Sequence, residues 1–101
     1  MNERRILSLL KTGKVIFRYP LKVHFQAGEG DFGVSVPKRN FKRAVRRNLL
    51  KRRVREAWRL NRARLGGKAY DIFIYYVGKQ VEEYGRIEKS LNQVLDDLAA
   101  R

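Results

Sequence analysis

At 101 residues the chain has room for one domain and one modest core, since a domain of this size buries roughly 60–70% of its unfolded surface. A hydrophobic fraction of 44%, including five Phe, five Tyr and one Trp, argues against disorder. Twenty-four Lys and Arg against ten Asp and Glu give a net charge of +14, which points to a polyanionic partner, and the lack of cysteine excludes disulfides and thiolate metal sites.

In chain order, Ile6, Leu7, Leu9 and Leu10 predict a short apolar helix closed by Gly13. From Lys14 to Gln26 the pattern alternates in part, with Leu21, Val23 and Phe25 one way and Lys22 and His24 the other, which predicts a strand. Pro20 marks its beginning or an edge position. Ala27–Asp31 predicts the turn of a hairpin, with Phe32–Val36 as its second, antiparallel strand. Pro37 and Asn40 break that strand, and Asn40 is placed to cap the next helix.

Phe41 to about Leu65 contains no Gly or Pro and favours helix, stopped by Gly66-Gly67. Tyr70–Val77 is β-branched and aromatic, as a central strand should be. Val81–Leu98 predicts a last helix with Ile87, Leu91, Val94, Leu95 and Leu98 on one stripe. The expected fold class is thus α/β (α+β): a two-layer sandwich with a small central sheet and helices, residues 1–101 forming a single RNA-binding domain. No apolar run approaches the roughly 18 residues of a membrane span, and Met1–Arg5 has no secretory h-region, so no membrane association and a cytoplasmic location are expected.

The charge is concentrated. Lys38–Arg64 holds 13 of the 24 basic residues and one acid, Glu56; the remainder holds 11 basic and nine acidic residues. On a helical wheel, Leu50, Val54, Ala57, Trp58, Asn61 and Leu65 fall within an arc of roughly 100°, a core-facing stripe whose one polar member is Asn61. Asn48, Lys51, Arg52, Arg55, Arg59 and Arg62 occupy the opposite arc, flanked by Arg43, Arg46, Arg47 and Arg53. Like charges at i,i+4 repel by a few tenths of a kcal/mol per pair, and a merely solvated face mixes signs to avoid this. Guanidinium forks match phosphate oxygens, and Asn48 adds a group able to meet a base edge or a 2′-hydroxyl. Trp58, within the apolar stripe, is assigned to the core in preference to base stacking.

No active site of the chain's own is expected. The ten carboxylates are scattered, and no spacing argues for convergence on a metal ion. Glu82-Glu83 suits the N-terminus of the last helix through its dipole. His24, on the polar side of its strand, is read as exposed, with RNA contact as the alternative.

The runs Phe32-Gly33-Val34-Ser35-Val36-Pro37-Lys38-Arg39 and Ala44-Val45-Arg46-Arg47-Asn48-Leu49-Leu50-Lys51-Arg52-Arg53-Val54-Arg55-Glu56 resemble the bacterial ribonuclease P protein component. The resemblance implies a ribosomal-protein-S5-like fold with a left-handed βαβ crossover from Phe32–Val36 to Tyr70–Val77, where the general rule gives a right-handed one. It implies binding to a catalytic RNA that itself hydrolyses the 5′ leader from precursor tRNA, with one protein per RNA and Mg²⁺ held mainly by the RNA. Arg47, Asn48, Lys51, Arg52 and Arg55 match the family's RNA-contacting helix motif, and Lys38 and Arg39 the basic pair before it.

The sequence departs from the family pattern in places. Leu49 stands where the motif has a second Arg, Pro37 replaces a Ser, and one extra residue lies between Arg39 and Ala44. Aligned on Gly13, the usual aromatics of the leader cleft fall at Ile6, Leu10 and His24, so apolar contact and electrostatics are expected in place of stacking. Phe17 and Tyr19 are further aromatics with no assigned place. The competing readings are a non-enzymatic RNA-binding module, such as a ribosomal protein or assembly factor, and a self-sufficient nuclease.

Overall fold

The computed structural model describes residues 1–101 and runs α1 (Glu3–Thr12), β1 (Lys14–Arg18), β2 (Leu21–Ala27), β3 (Phe32–Ser35), α2 (Ala44–Asn61), β4 (Tyr70–Tyr76) and α3 (Tyr84–Ala100). Asn2 starts α1 by accepting the Arg5 N–H at 2.9 Å, the usual N-cap chemistry. The strands form one sheet in the order β1-β2-β4-β3. β1 and β2 make an antiparallel hairpin, β2 pairs antiparallel with β4, and β3 pairs parallel with β4 after the α2 crossover.

Alternation along the strands separates two faces. Ile16, Val23, Phe25, Ile72, Ile74 and Tyr76 pack beneath α2 and α3 in the main core, with Leu50, Val54 and Ala57 of α2 and the whole expected stripe of α3 buried against them. The opposite face carries His24, Phe73 and Tyr75, and α1 lies across it on β2 and β4, with Leu9 fully buried.

The hairpin is not where turn composition placed it. Ala27–Asp31 does reverse the chain, but Phe32–Ser35 does not pair with β2; it lies on the far side of β4 and runs parallel to it. The loop is organised by β4: Asp71, buried at its start, accepts the Glu29 and Asp31 N–H groups at 3.1 and 3.0 Å. A Cβ at Gly28 would lie 2.1 Å from the Asp71 carboxylate, so a side chain there would displace the group that organises the loop. Gly and Asp signal a turn; they do not choose the strand's partner.

α2 is shorter than the Gly- and Pro-free run. Asn40 does not cap it; the Asn40 and Phe41 N–H groups bond the Pro37 carbonyl, and Phe41 drops into the core against Tyr76. Helix begins at Ala44 and ends at Asn61, tightening to a 3₁₀ turn over Arg62–Leu65 before Gly66, at φ +63, takes the left-handed cap. Asn61 has partners within the apolar stripe: its amide donates to the Ala57 carbonyl at 2.8 Å and to Glu88 of α3 at 2.9 Å.

Trp58 is half-buried and stacks on Phe32, ring centroids 4.6 Å apart and 7° from parallel. It therefore fastens α2 to β3 at the rim of the core. Trp58→Ala is expected to lower stability in urea by about 3 kcal/mol, the low end for deleting a large aromatic. Wild-type stability in that variant would mean the stack holds nothing together.

Candidate nucleic-acid interface

Because Leu50, Val54 and Ala57 are fully buried, the other side of α2 faces water. Asn48, Arg52, Arg55, Arg59 and Arg62 are exposed and Lys51 is half-buried, as the wheel requires. The cations divide by partner. Arg47 donates to the Phe41 and Lys42 carbonyls at 2.6 and 2.9 Å, so its guanidinium holds the chain entering α2. Arg53 donates to the Glu82 carbonyl at 2.6 Å and ties α2 to the loop before α3. Arg59 pairs with Glu56 at 2.5 Å, and that hydrogen bond lowers the Glu56 pKa.

Arg43, Arg46, Lys51, Arg52, Arg55 and Arg62 pair with no carboxylate. The start of α2 compounds the excess, having no acidic residue in the first turn and no side-chain cap. A helix N-terminus is already the positive end of the macrodipole, so Arg43 and Arg46 there oppose the local field. A phosphate placed there would offset that penalty.

Lys38 and Arg39 are exposed on the Pro37–Phe41 turn. Beside it, a cavity of about 460 Å³ is lined by Asn40–Arg43, Arg46 and Lys79–Val81. A second, of about 760 Å³, is lined by Lys22, Pro37, Arg39, Asn40, Tyr75, Val77 and Lys79. Together they continue the basic surface from α2 onto the sheet. The Lys79 loop is held by Tyr76, whose fully buried hydroxyl donates to the Gln80 carbonyl at 2.6 Å and accepts the Glu82 N–H at 3.0 Å. Burial pushes the Tyr76 pKa up to about 12.

Lys22, Tyr75 and Lys79 escaped the sequence reading. Lys22 carried a local signal, since it shares the polar side of β2 with His24. Its junction with Tyr75 arises only from the β2–β4 register, which sets Lys22 opposite Tyr75.

The α1 side of the sheet gathers the proposed cleft residues. Ile6 is half-buried and Leu10 is 39% exposed; one turn apart on α1, they flank the buried Leu9. His24 departs from its expected exposure. It is only 7% exposed, lying edge-on to Tyr75 at 5.8 Å, which in turn meets Phe73 edge-on at 5.1 Å. β2 is a central strand covered on both faces, so its polar side is no longer a wet side. Phe17 now has a place: it sits opposite Lys22 in the β1–β2 register, on the His24 face, 55% exposed.

His24 Nδ1 is enclosed without a hydrogen-bond partner. A bare acceptor is tolerated there better than an orphaned N–H, so the neutral ring carries its proton on Nε2. Burial, and then the Lys22 ammonium, lower its pKa from 6.5. The carboxylates on this side are engaged: Arg5 reaches Asp31 at 3.3 Å and Asp71 at 3.8 Å. No group of three or more His, Cys, Asp or Glu is placed to hold a metal ion, and no helix is long and apolar enough to cross a membrane.

Comparison with known proteins matches this arrangement to one family. The family model described as Ribonuclease P matches residues 1–99. The chain belongs to the ribonuclease P protein family. The ribonuclease P protein component of Porphyromonas gingivalis is 33% identical over 99 residues, covering 86% of this chain and 72% of the relative. The RNase P protein from Thermotoga maritima, solved in complex with 1-(4-fluorophenyl)-2-thiourea, superposes with a TM-score of 0.82 at 27% identity over 94% of this chain and 95% of that one. The Staphylococcus aureus RNase P protein shares the fold, with a TM-score of 0.80 at 24% identity over 96% and 91%. A ribonuclease P protein is a subunit of a tRNA-processing enzyme, and the ribosomal-protein alternative is not favoured.

The His24 shift gives stability a direction with pH. The folded state disfavours the imidazolium, so the unfolded chain takes up the proton first as pH falls through 6.5, and stability declines below that point. Above it, both states are neutral and His24 contributes no slope. Urea midpoints measured on either side of this window should show that decline, and His24→Phe should flatten it. An unchanged slope in the variant would assign the pH dependence to other groups.

Proposed function

We propose that this chain binds the catalytic RNA of ribonuclease P through the free cations of α2 and the Lys38-Arg39 turn, and holds the 5′ leader of precursor tRNA along the α1 side of the sheet. The observation that carries this reading is the continuity of the two surfaces through Arg39, Lys22, Lys79 and Tyr75 around one cavity. RNA phosphates meet the unpaired guanidinium groups, and the leader's bases meet Phe17 and the apolar side chains Ile6 and Leu10, with His24 buried against Tyr75.

In this reading Arg47 and Arg53 shape the binding surface through the carbonyls they hold, while Arg43, Arg46, Asn48, Lys51, Arg52, Arg55 and Arg62 face RNA directly. Arg59 joins them once RNA phosphate competes with Glu56. Leu49 presents no charge where the family motif has one.

The RNA performs the hydrolysis, and the chain supplies no reacting group. Mg²⁺ is held mainly by the RNA; Asp31 and Asp71 are already answered by Arg5 and by backbone N–H groups. What the chain contributes is positive potential that offsets phosphate repulsion between catalytic RNA and substrate, reducing the free Mg²⁺ the complex needs. One protein serves one RNA, in the cytoplasm.

Reconstitution tests this reading. The cognate RNA subunit should cleave precursor tRNA at low Mg²⁺ only when the chain is present, and equal cleavage without it would refute the proposal. Phe17→Ala should weaken binding of precursor tRNA by roughly 5- to 150-fold, the range for one stacked base, while leaving mature tRNA affinity unchanged. Equal loss for both RNAs would place Phe17 outside the leader path.

A further inference from the structure

The free edge of β1 lies at the opposite end of the sheet from β3 and the face of α2 that covers it. It bears a second cluster that α2 does not reach. Arg18 ends β1, Tyr19 opens the turn to β2, and Arg86, Lys89 and Gln93 stand on the exposed side of α3. With Ser90 they line an open cleft of about 400 Å³.

The cleft has a built floor. The Ser90 hydroxyl, itself buried, donates to the Tyr19 carbonyl at 2.6 Å and fixes the backbone from which the ring projects. Tyr19 remains 42% exposed, and the Arg86 guanidinium carbon stands 5.5 Å from its ring centroid. Arg86 and Lys89 pair with no acid; Arg18 donates to the Phe17 carbonyl at 2.9 Å and meets one carboxylate, Asp97, at 3.9 Å. Asp97 also accepts a bond from Arg101 at 3.1 Å, so its charge is shared. Three cations around one exposed aromatic is thus a local excess of positive charge on a part of the chain that is otherwise near balance.

We propose that this cleft is a second RNA contact, which takes a single-stranded segment distinct from the one on α2. Its phosphates lie against Arg18, Arg86 and Lys89, and a base stacks on the exposed part of the Tyr19–Arg86 cation–π pair. Phenol and guanidinium both offer flat faces that accept any base, so the contact is tolerant of sequence. A nucleotide supplies both a phosphate for the cations and a flat base for the exposed ring. The chain then bridges two RNA segments across a body of 35 × 29 × 19 Å. This inference rests on RNA binding by the chain and not on the path of the leader.

The test uses the full chain assembled with its cognate RNA subunit and precursor tRNA, carrying a benzophenone amino acid at position 19 or, separately, at position 52. The expected result is an RNA crosslink from position 19 that maps to a single-stranded stretch different from the one reached from position 52. The double variant Arg86→Ala/Lys89→Ala should lower the salt slope of RNA affinity by about 1.4, two single-strand phosphates at ~0.7 each. Tyr19→Leu should weaken binding by roughly fivefold or more, while Tyr19→Phe retains it. A crosslink from position 52 with none from position 19, or an unchanged salt slope in the double variant, overturns the proposal. Failure at both positions removes the RNA-binding reading of α2 and this proposal with it.

Discussion

Leu50, Val54 and Ala57 lose all contact with water when α2 settles beside α3 over the parallel end of the sheet, and that contact decides where the cations of the same helix point. Burying a Leu or Val side chain is worth roughly 1.5–3 kcal/mol, whereas each like-charged i,i+4 pair costs only a few tenths. The apolar stripe therefore outweighs the repulsion among the arginines. A face that would splay apart on a free helix is held in register by the core beneath it. Arg47 and Arg53 reinforce that seating by bonding carbonyls on either side of α2. Some of the positive charge thus serves to fix the rest.

Much of the architecture was legible because its signals are local. The stripes of α2 and α3 and the β-branched run of β4 each declare themselves within a few turns or one strand. The parallel pairing of β3 with β4 was not legible. It joins residues about forty positions apart, such as Phe32 and Ile72, and a turn between Ala27 and Asp31 is compatible with either neighbour. His24 was misjudged for the same reason: alternation tells which side of β2 it occupies, but only the fold shows that α1 covers that side. Phe17 could be placed only once the β1–β2 register was known.

The candidate surface shows the same division. The wheel separated Asn48–Arg62 from Leu50–Leu65 correctly, yet it could not tell a guanidinium that faces solvent from one folded back onto a carbonyl. Charge counting treats Arg47, Arg52 and Arg53 alike; hydrogen bonding separates them. Lys22 and Lys79 belong to different strands' ends and enter the same cavity through the β2–β4 pairing. The resemblance of the Phe32–Glu56 run supplied the family, and the structure supplied the route by which that run connects to the sheet.

In the proposed function one helix carries two roles on two faces, packing and RNA binding, with little exchange between them. Arg52→Ala tests it most directly, measured for both RNA affinity across a salt series and stability in urea. This division of labour predicts a salt slope lower by about 0.7–0.9, one phosphate contact, with stability within about 0.5 kcal/mol of wild type. An unchanged slope, or a loss of several kcal/mol in stability, would contradict it.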